Sequence, residues 1–164
     1  WLAAPAIVAL AVPLYHSLQQ IRAAILPALV VIVAGAATAV ASAAALTVAV
    51  GGGPAFVASM APKSVTTPVA LAIAERVGGI EAVTALFVML TGVIGALTSN
   101  ALCRLLGVRD HRAQGLVLGI TAHVLGVARG FSISHEMGTF AAVGMGISAV
   151  LAALFLPVVM RVTG

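Results

Sequence analysis

The stretch MAPKSVTTPVALAIAERVGG, residues 60–79, decides how the chain is read. It holds the only lysine of the sequence, Lys63, between Pro62 and Pro68, with Ser64, Thr66 and Thr67 beside it. Pro68 lacks a backbone donor and its ring clashes with the preceding turn, while residues before a proline are pushed towards extended conformations. Residues 62–68 therefore cannot be the interior of a regular helix. Thr67 reads as an N-cap and Pro68 as the first helical residue, with Gly78 and Gly79 ending the new helix.

The surroundings make that break unusual. Of 164 residues, 62% are hydrophobic and 7% charged, and the mean hydropathy is +1.23. Soluble domains average about 25% charged residues. Such a chain has too little polar surface to face water, so it is an integral membrane protein. No run alternates with period two, and the Ala, Val, Leu and Gly content favours an all-α bundle of close-packed transmembrane helices over a barrel. The net charge of +4 comes from scattered residues near segment ends. It reads as a topology signal, with no basic patch for nucleic acid. The single cysteine, Cys103, excludes an internal disulfide and a cysteine-based metal site.

Six apolar segments follow one another: 1–15, 24–50, 54–77, 82–106, 112–131 and 137–161. The first, interrupted by Pro5 and Pro13, is shorter than the roughly 20 residues a spanning helix needs. The chain also starts at Trp1, so residues 1–164 are expected to be one domain lacking N-terminal helices. The third and fifth segments carry polar groups in their middles and are expected to be interrupted, either broken crossing helices or re-entrant hairpins. A spacing of 55 residues, set by the alignment, matches Thr66 with Thr121, Glu81 with Glu136 and Thr84 with Thr139, a weak internal repeat. Paired interrupted segments of this kind point to a transporter site. Arg104, Arg109 and Arg112 mark 103–114 as a cytoplasmic loop. Full crossing places Arg22 outside and hairpins place Arg161 outside; crossing is the slightly better fit.

Irregular backbone at membrane depth persists only where it is buried in protein or lines a wet cavity. Lys63 there costs at least about 2.5 kcal/mol, which suits a binding role, unless it snorkels to headgroups. Ser64, Thr66 and Thr67 supply hydroxyls, and two half-helices aiming positive ends at one break would make an anion site. His123 is a proton carrier or substrate donor, or a packing residue. Arg129 offers a fork for a carboxylate, or an interfacial anchor. Gly115, Gly119, Gly126 and Gly130 are close-packing glycines, and Asp110 and Ser134 look like N-caps. There are no paired intramembrane carboxylates, HExxH or GxSxG, so no catalytic residue, cofactor or metal is expected and the protein is read as a non-enzyme.

The block PKSVTTPVALAIAERVGGIEAVTALFVMLTGVIGA resembles the signature of the LrgB/CidB family. WLAAPAIVALAVPLY, QGLVLGITAHVLGVARG and EMGTFAAVGMGISAVLAALFLPVV are similar to its other blocks, so the resemblance covers essentially the whole chain. It implies a multi-pass protein of the inner (plasma) membrane, with a homo-oligomer expected. Bacterial members are encoded beside small LrgA/CidA-type membrane partners and modulate murein hydrolase activity and autolysis. A plastid relative is a glycolate/glycerate translocator, and some bacterial members are tied to pyruvate uptake. The resemblance thus implies either a monocarboxylate transporter using Lys63, Ser64, Thr66, Thr67, His123 and Arg129, or an antiholin-like regulator that transports nothing. Where the family reads close to SHAIGTARA this chain has AHVLGVARG, with Ala122 in place of a serine and Val127 in place of a threonine.

Overall fold

The computed structural model describes Tyr15 and residues 18–163. The first apolar segment, apart from Tyr15, lies outside that range. The described residues form six helices and no strand: α1 (Leu18–Ala49), α2 (Pro54–Met60), α3 (Thr67–Val77), α4 (Glu81–Leu105), α5 (His111–Ile133) and α6 (His135–Thr163). α1 begins ahead of the apolar run and takes in Gln19, Gln20 and Arg22; Pro27 lies inside it. α1, α4, α5 and α6 are each long and apolar enough to cross a membrane.

α5, however, does not run straight. A straight helix of its length would separate its ends by about 34 Å, at 1.5 Å per residue. Yet Ser134 Oγ lies 3.1 Å from His111 Nδ1, and Arg112 Nε donates to Glu136 Oε1 at 2.6 Å. The reversal falls at His123, whose φ of 40° and ψ of −124° leave helical space. Past it, a Cβ on Gly126 would strike the Leu118 carbonyl. α5 is thus a helical hairpin with an outgoing limb, 111–122, and a returning limb, 124–133. This corrects the preference for full crossing of segment 112–131: a straight helix cannot put Ser134 beside His111.

Residues 54–80 double back as well. Ile80 N–H donates to Ser59 Oγ at 2.7 Å and Thr84 Oγ1 to the Ser59 carbonyl at 3.0 Å, so the chain returns to α2 after the turn 61–66. Gly78, at φ 76°, closes α3 in the left-handed conformation glycine tolerates.

Two long helices lean on both hairpins. α4 meets the first through Thr84 and Val88, then the tip of α5 through Gly92 and its outgoing limb through Gly95 and Ser99. α6 meets α5 through Phe140, Ala141 and Gly144, then α3 through Ala152 and Leu156. The outgoing limb is antiparallel to α4 (Ala122 beside Gly95, Thr121 beside Ser99) and parallel to α6 (Gly115 beside Phe140, Gly119 beside Met145). α4 and α6 therefore run in opposite directions. α1 packs beside the outgoing limb and α6 through Ala28, Ile32, Leu116, Ile120 and Phe140.

Two N-cap expectations hold, Asp110 at the start of α5 and Ser134 at the start of α6. Asp110 accepts from Arg112 N–H and Ala113 N–H, and Ser134 Oγ accepts from Met137 N–H. A Cβ on Gly115 or Gly119 would strike α6 backbone carbonyls, which is what close-packing glycines prevent.

The doubling back of α5 has a direct check. In a Cys103→Ser background, the pair His111→Cys and Ser134→Cys is expected to cross-link in membranes with a short bifunctional thiol reagent. A straight α5 would leave both thiols singly modified.

Candidate functional site

The break and the hairpin tip converge on one level of α4. Val65, inside the break, packs with Ala70 of α3 and Val88 of α4, all buried. The carbonyl of the same Val88 accepts a hydrogen bond from His123 Nε2 at 3.1 Å; a carbonyl only accepts, so Nε2 carries the proton. One turn on, Gly92 has no side chain, and a Cβ there would come within 2.6 Å of His123 Cε1. The imidazole, 5% exposed, occupies the space that glycine leaves. Just beyond, Thr121 and Ser99 exchange a hydrogen bond of 3.2 Å.

The turn 61–66 satisfies part of its own backbone, with Lys63 N–H on the Met60 carbonyl and Val65 N–H on the Pro62 carbonyl. Thr66, not Thr67, is the N-cap of α3, so Pro68 sits one position deeper than expected. The Thr66 hydroxyl makes no capping bond, and the first N–H groups of α3 keep their donors free, as at any uncapped helix start. Only α3 brings a positive end here. α2 arrives with its C-terminus, Ala61 closing it, so the expectation of two positive helix ends within segment 54–77 is corrected. The second positive end converging on this level is the start of the returning limb of α5, after His123.

Lys63 is half-buried and its Nζ donates to Ser64 Oγ at 3.3 Å. It makes no ion pair among the described residues; the ion pair they contain joins Arg112 and Glu136. Ser64 lines a cavity of about 30 Å³, with Pro62 and Val65 of the break, Ala36 and Val40 of α1, Ile120 of α5 and Ser148 of α6. Thr66 and Thr67 are half-buried; they and Lys63 are not among the residues that line it.

The structure thus gathers Lys63, Ser64 and Thr66 in one turn, with Thr67 opening α3 directly after it, and brings His123 to the same level of α4. Arg129 is exposed on the returning limb and does not line the cavity. Sequence reasoning missed Val88, Gly92 and Ser148. Val88 acts through its carbonyl and Gly92 through an absent side chain, so neither carries a residue-type signal. Ser148 is a serine in the otherwise apolar run GMGISAVLAAL, the one signal that could have found it. Among the described residues no group of His, Cys, Asp and Glu could hold a metal ion.

Non-glycine residues at positive φ carry strain of about 1–3 kcal/mol, and glycine escapes it. His123→Gly and His123→Ala both lose the bond to Val88, but only alanine keeps the strain. In detergent, His123→Ala is expected to melt below His123→Gly; the reverse order would show that φ at this position is ordinary.

The LrgB-like family model matches residues 1–162. The chain is 33% identical over 147 residues to the Bacillus subtilis (strain 168) protein YwbG, covering 90% of this chain and 65% of that one. It is 34% identical over 155 residues to YxaC of the same organism, covering 94% of this chain and 67% of the relative. Holin-like protein CidB of Staphylococcus epidermidis (strain ATCC 12228 / FDA PCI 1200) is 31% identical over 102 residues, 62% of this chain and 44% of CidB. No solved structure matches the chain.

Proposed function

The chain belongs to the LrgB-like family, and on that premise we propose that it carries small monocarboxylates of the glycolate, glycerate or pyruvate type across the membrane. The observation that carries this reading is the meeting of the break 61–66 and the His123 tip at Val88, beside a half-buried lysine that no carboxylate among the described residues neutralises. An ammonium held there calls for an anion. A monocarboxylate meets it with one charge, and hydroxyls and free helix N–H groups bind the remaining oxygen lone pairs.

The opposed hairpins supply a route. The hairpin of residues 54–80 enters from the end of the bundle where α1 finishes, and α5 enters from the end where α1 starts. Each is followed by a long helix, α4 or α6, running opposite to the other. This is the arrangement an inverted internal repeat produces, and it supports the weak 55-residue echo. Ligand sites of such transporters lie where the two interrupted segments meet, and rocking of one unit against the other alternates the access. Charges orient the bundle: Arg22, Arg104, Arg109 and Arg112 share one end, and Arg76 and Arg161 the other. The first is the cytoplasmic end of a plasma (inner) membrane protein by the positive-inside rule.

In this reading Lys63 pairs with the carboxylate. His123 holds the α5 tip against α4 and touches the substrate only if the tip moves. Arg129 acts at the mouth, drawing acids towards the hairpin.

A second reading is favoured by the holin-like name of CidB. In it the protein is a homo-oligomeric antiholin-like component that modulates autolysis with a small LrgA/CidA-type partner. Lys63 would then be dispensable.

Uptake of radiolabelled glycolate, glycerate and pyruvate into proteoliposomes separates the two. The transport reading expects saturable uptake that falls at least about tenfold in Lys63→Ala, as loss of a charged hydrogen-bond donor costs about 1.5–3 kcal/mol. Absence of uptake from folded wild-type protein, with copurification of a small membrane partner, would favour the regulatory complex.

A further inference from the structure

Ser148 lies near the middle of α6, 3% exposed, and its Oγ has no hydrogen-bond partner among the described residues. A buried hydroxyl left unpaired is costly, and in natural proteins nearly all find a protein group or an ordered water. Hydroxyls inside helices can bond back to the preceding turn, as those of Thr38, Thr47 and Ser59 do here. Ser148 does not. It borders the cavity of about 30 Å³ that lies between the break, α1, α5 and α6. Asn100 and Thr139 also carry unpartnered buried oxygens, but neither borders this cavity.

Three residues of its otherwise apolar wall have polar atoms to offer. Ser148 is one. Ser64 is the second: its Oγ accepts from Lys63 Nζ at 3.3 Å, so its own O–H is free to donate. Ala61 is the third; it lines the cavity, and its carbonyl accepts no hydrogen bond among the described residues.

Size and charge decide what such a space holds. It admits about two water-sized groups, so a carboxylic acid does not fit. A cation there would lie next to the Lys63 ammonium, which already reaches Ser64. A halide would face the carbonyl end of α2, closed by Ala61, where the helix carries its negative pole. Either ion would give up more hydration than these few groups return. Water is neutral, both donates and accepts, and needs two to four polar partners.

We propose that this cavity is a water site, in which an ordered water accepts from the Ser64 hydroxyl and donates to Ser148 Oγ. The bridge ties the turn 61–66 to α6, alongside the apolar cluster of Ala61, Ile73 and Leu156. It also holds the Ser64 hydroxyl turned so that its lone pairs face Lys63. The assignment stands apart from the transport reading and holds under either function.

The test is X-ray hydroxyl-radical labelling of the full-length protein in membranes, read by mass spectrometry. Radicals form from water where it is bound, so a buried side chain is oxidised only where water lies beside it. Ile120 and Val65, 5% and 6% exposed, line the cavity and are expected to be oxidised. Leu156 and Leu116, equally buried and outside its lining, should stay unmodified. Ser148→Ala should cut the labelling of Ile120 and Val65 severalfold. It should also lower the melting midpoint by about 2–4 °C, the scale of one lost hydrogen bond. In the double variant with Ser64→Ala the two losses should overlap, because one water serves both hydroxyls. Ile120 and Val65 as unreactive as the two leucines would overturn the water site, and so would a Ser148→Ala midpoint at or above wild type. Additive losses in the double variant would overturn the bridge. Should Ser148→Ala fail to fold, the labelling of wild type decides alone.

Discussion

The reversal of α5 buries an imidazole, and a buried polar group needs a hydrogen-bond partner within the protein; the bond from His123 Nε2 to the Val88 carbonyl supplies it. It crosses from the tip of one hairpin to the helix against which the other hairpin's turn is packed. Without it, the reversal at His123 would leave a buried imidazole unpaired at a strained φ. With it, the tip of α5 is fixed at the level of Val65 and Val88. Around it, α4 spans from Ser59 to Thr121, and α6 runs the opposite way along both hairpins.

The interior shows how little polar chemistry is needed to build such a site. The described residues pair two charges at one end of the bundle, Arg112 and Glu136. Inside, besides the His123–Val88 bond, single hydrogen bonds that involve a hydroxyl join the elements: Ile80 N–H donates to Ser59 Oγ, Thr84 Oγ1 donates to the Ser59 carbonyl, and Ser99 pairs with Thr121. Small residues do the rest, because Gly92, Gly95 and Gly119 let backbone and ring approach where any Cβ would collide. Against this background two residues stand apart: Lys63, in the turn, makes no ion pair among the described residues, and Ser148, which shares a cavity with the neighbouring Ser64, has a hydroxyl with no partner among them.

Much of this was legible in the chain before folding. Proline at 62 and 68 forbids a helix through Lys63, and the turn is there. Asp110 and Ser134 announce the starts of α5 and α6 through their N-capping chemistry. The all-helical membrane class follows from having too few charges to face water. The reversal at His123 was not legible as a hairpin, because no proline or glycine occupies the turning point. Its cause is tertiary: a ring seated on Gly92 and a carbonyl 35 positions away in sequence. The helix-end error at segment 54–77 had a simpler source, since a chain entering a break always arrives with its carbonyl end. Ser148 was hidden because a lone serine in an apolar run ordinarily bonds its own helix, and only the fold reveals that it does not.

The claim at the centre is that the turn 61–66 lines a site reached from water and filled by a small acid. Reactivity of a single cysteine at Ser64→Cys, in a Cys103→Ser background, tests it most directly with a membrane-impermeant thiol reagent applied from each side in turn. The account predicts modification from at least one side, slowed by glycolate in a saturable manner. A thiol that stays unmodified from both sides, or one whose modification glycolate leaves unchanged, would contradict it.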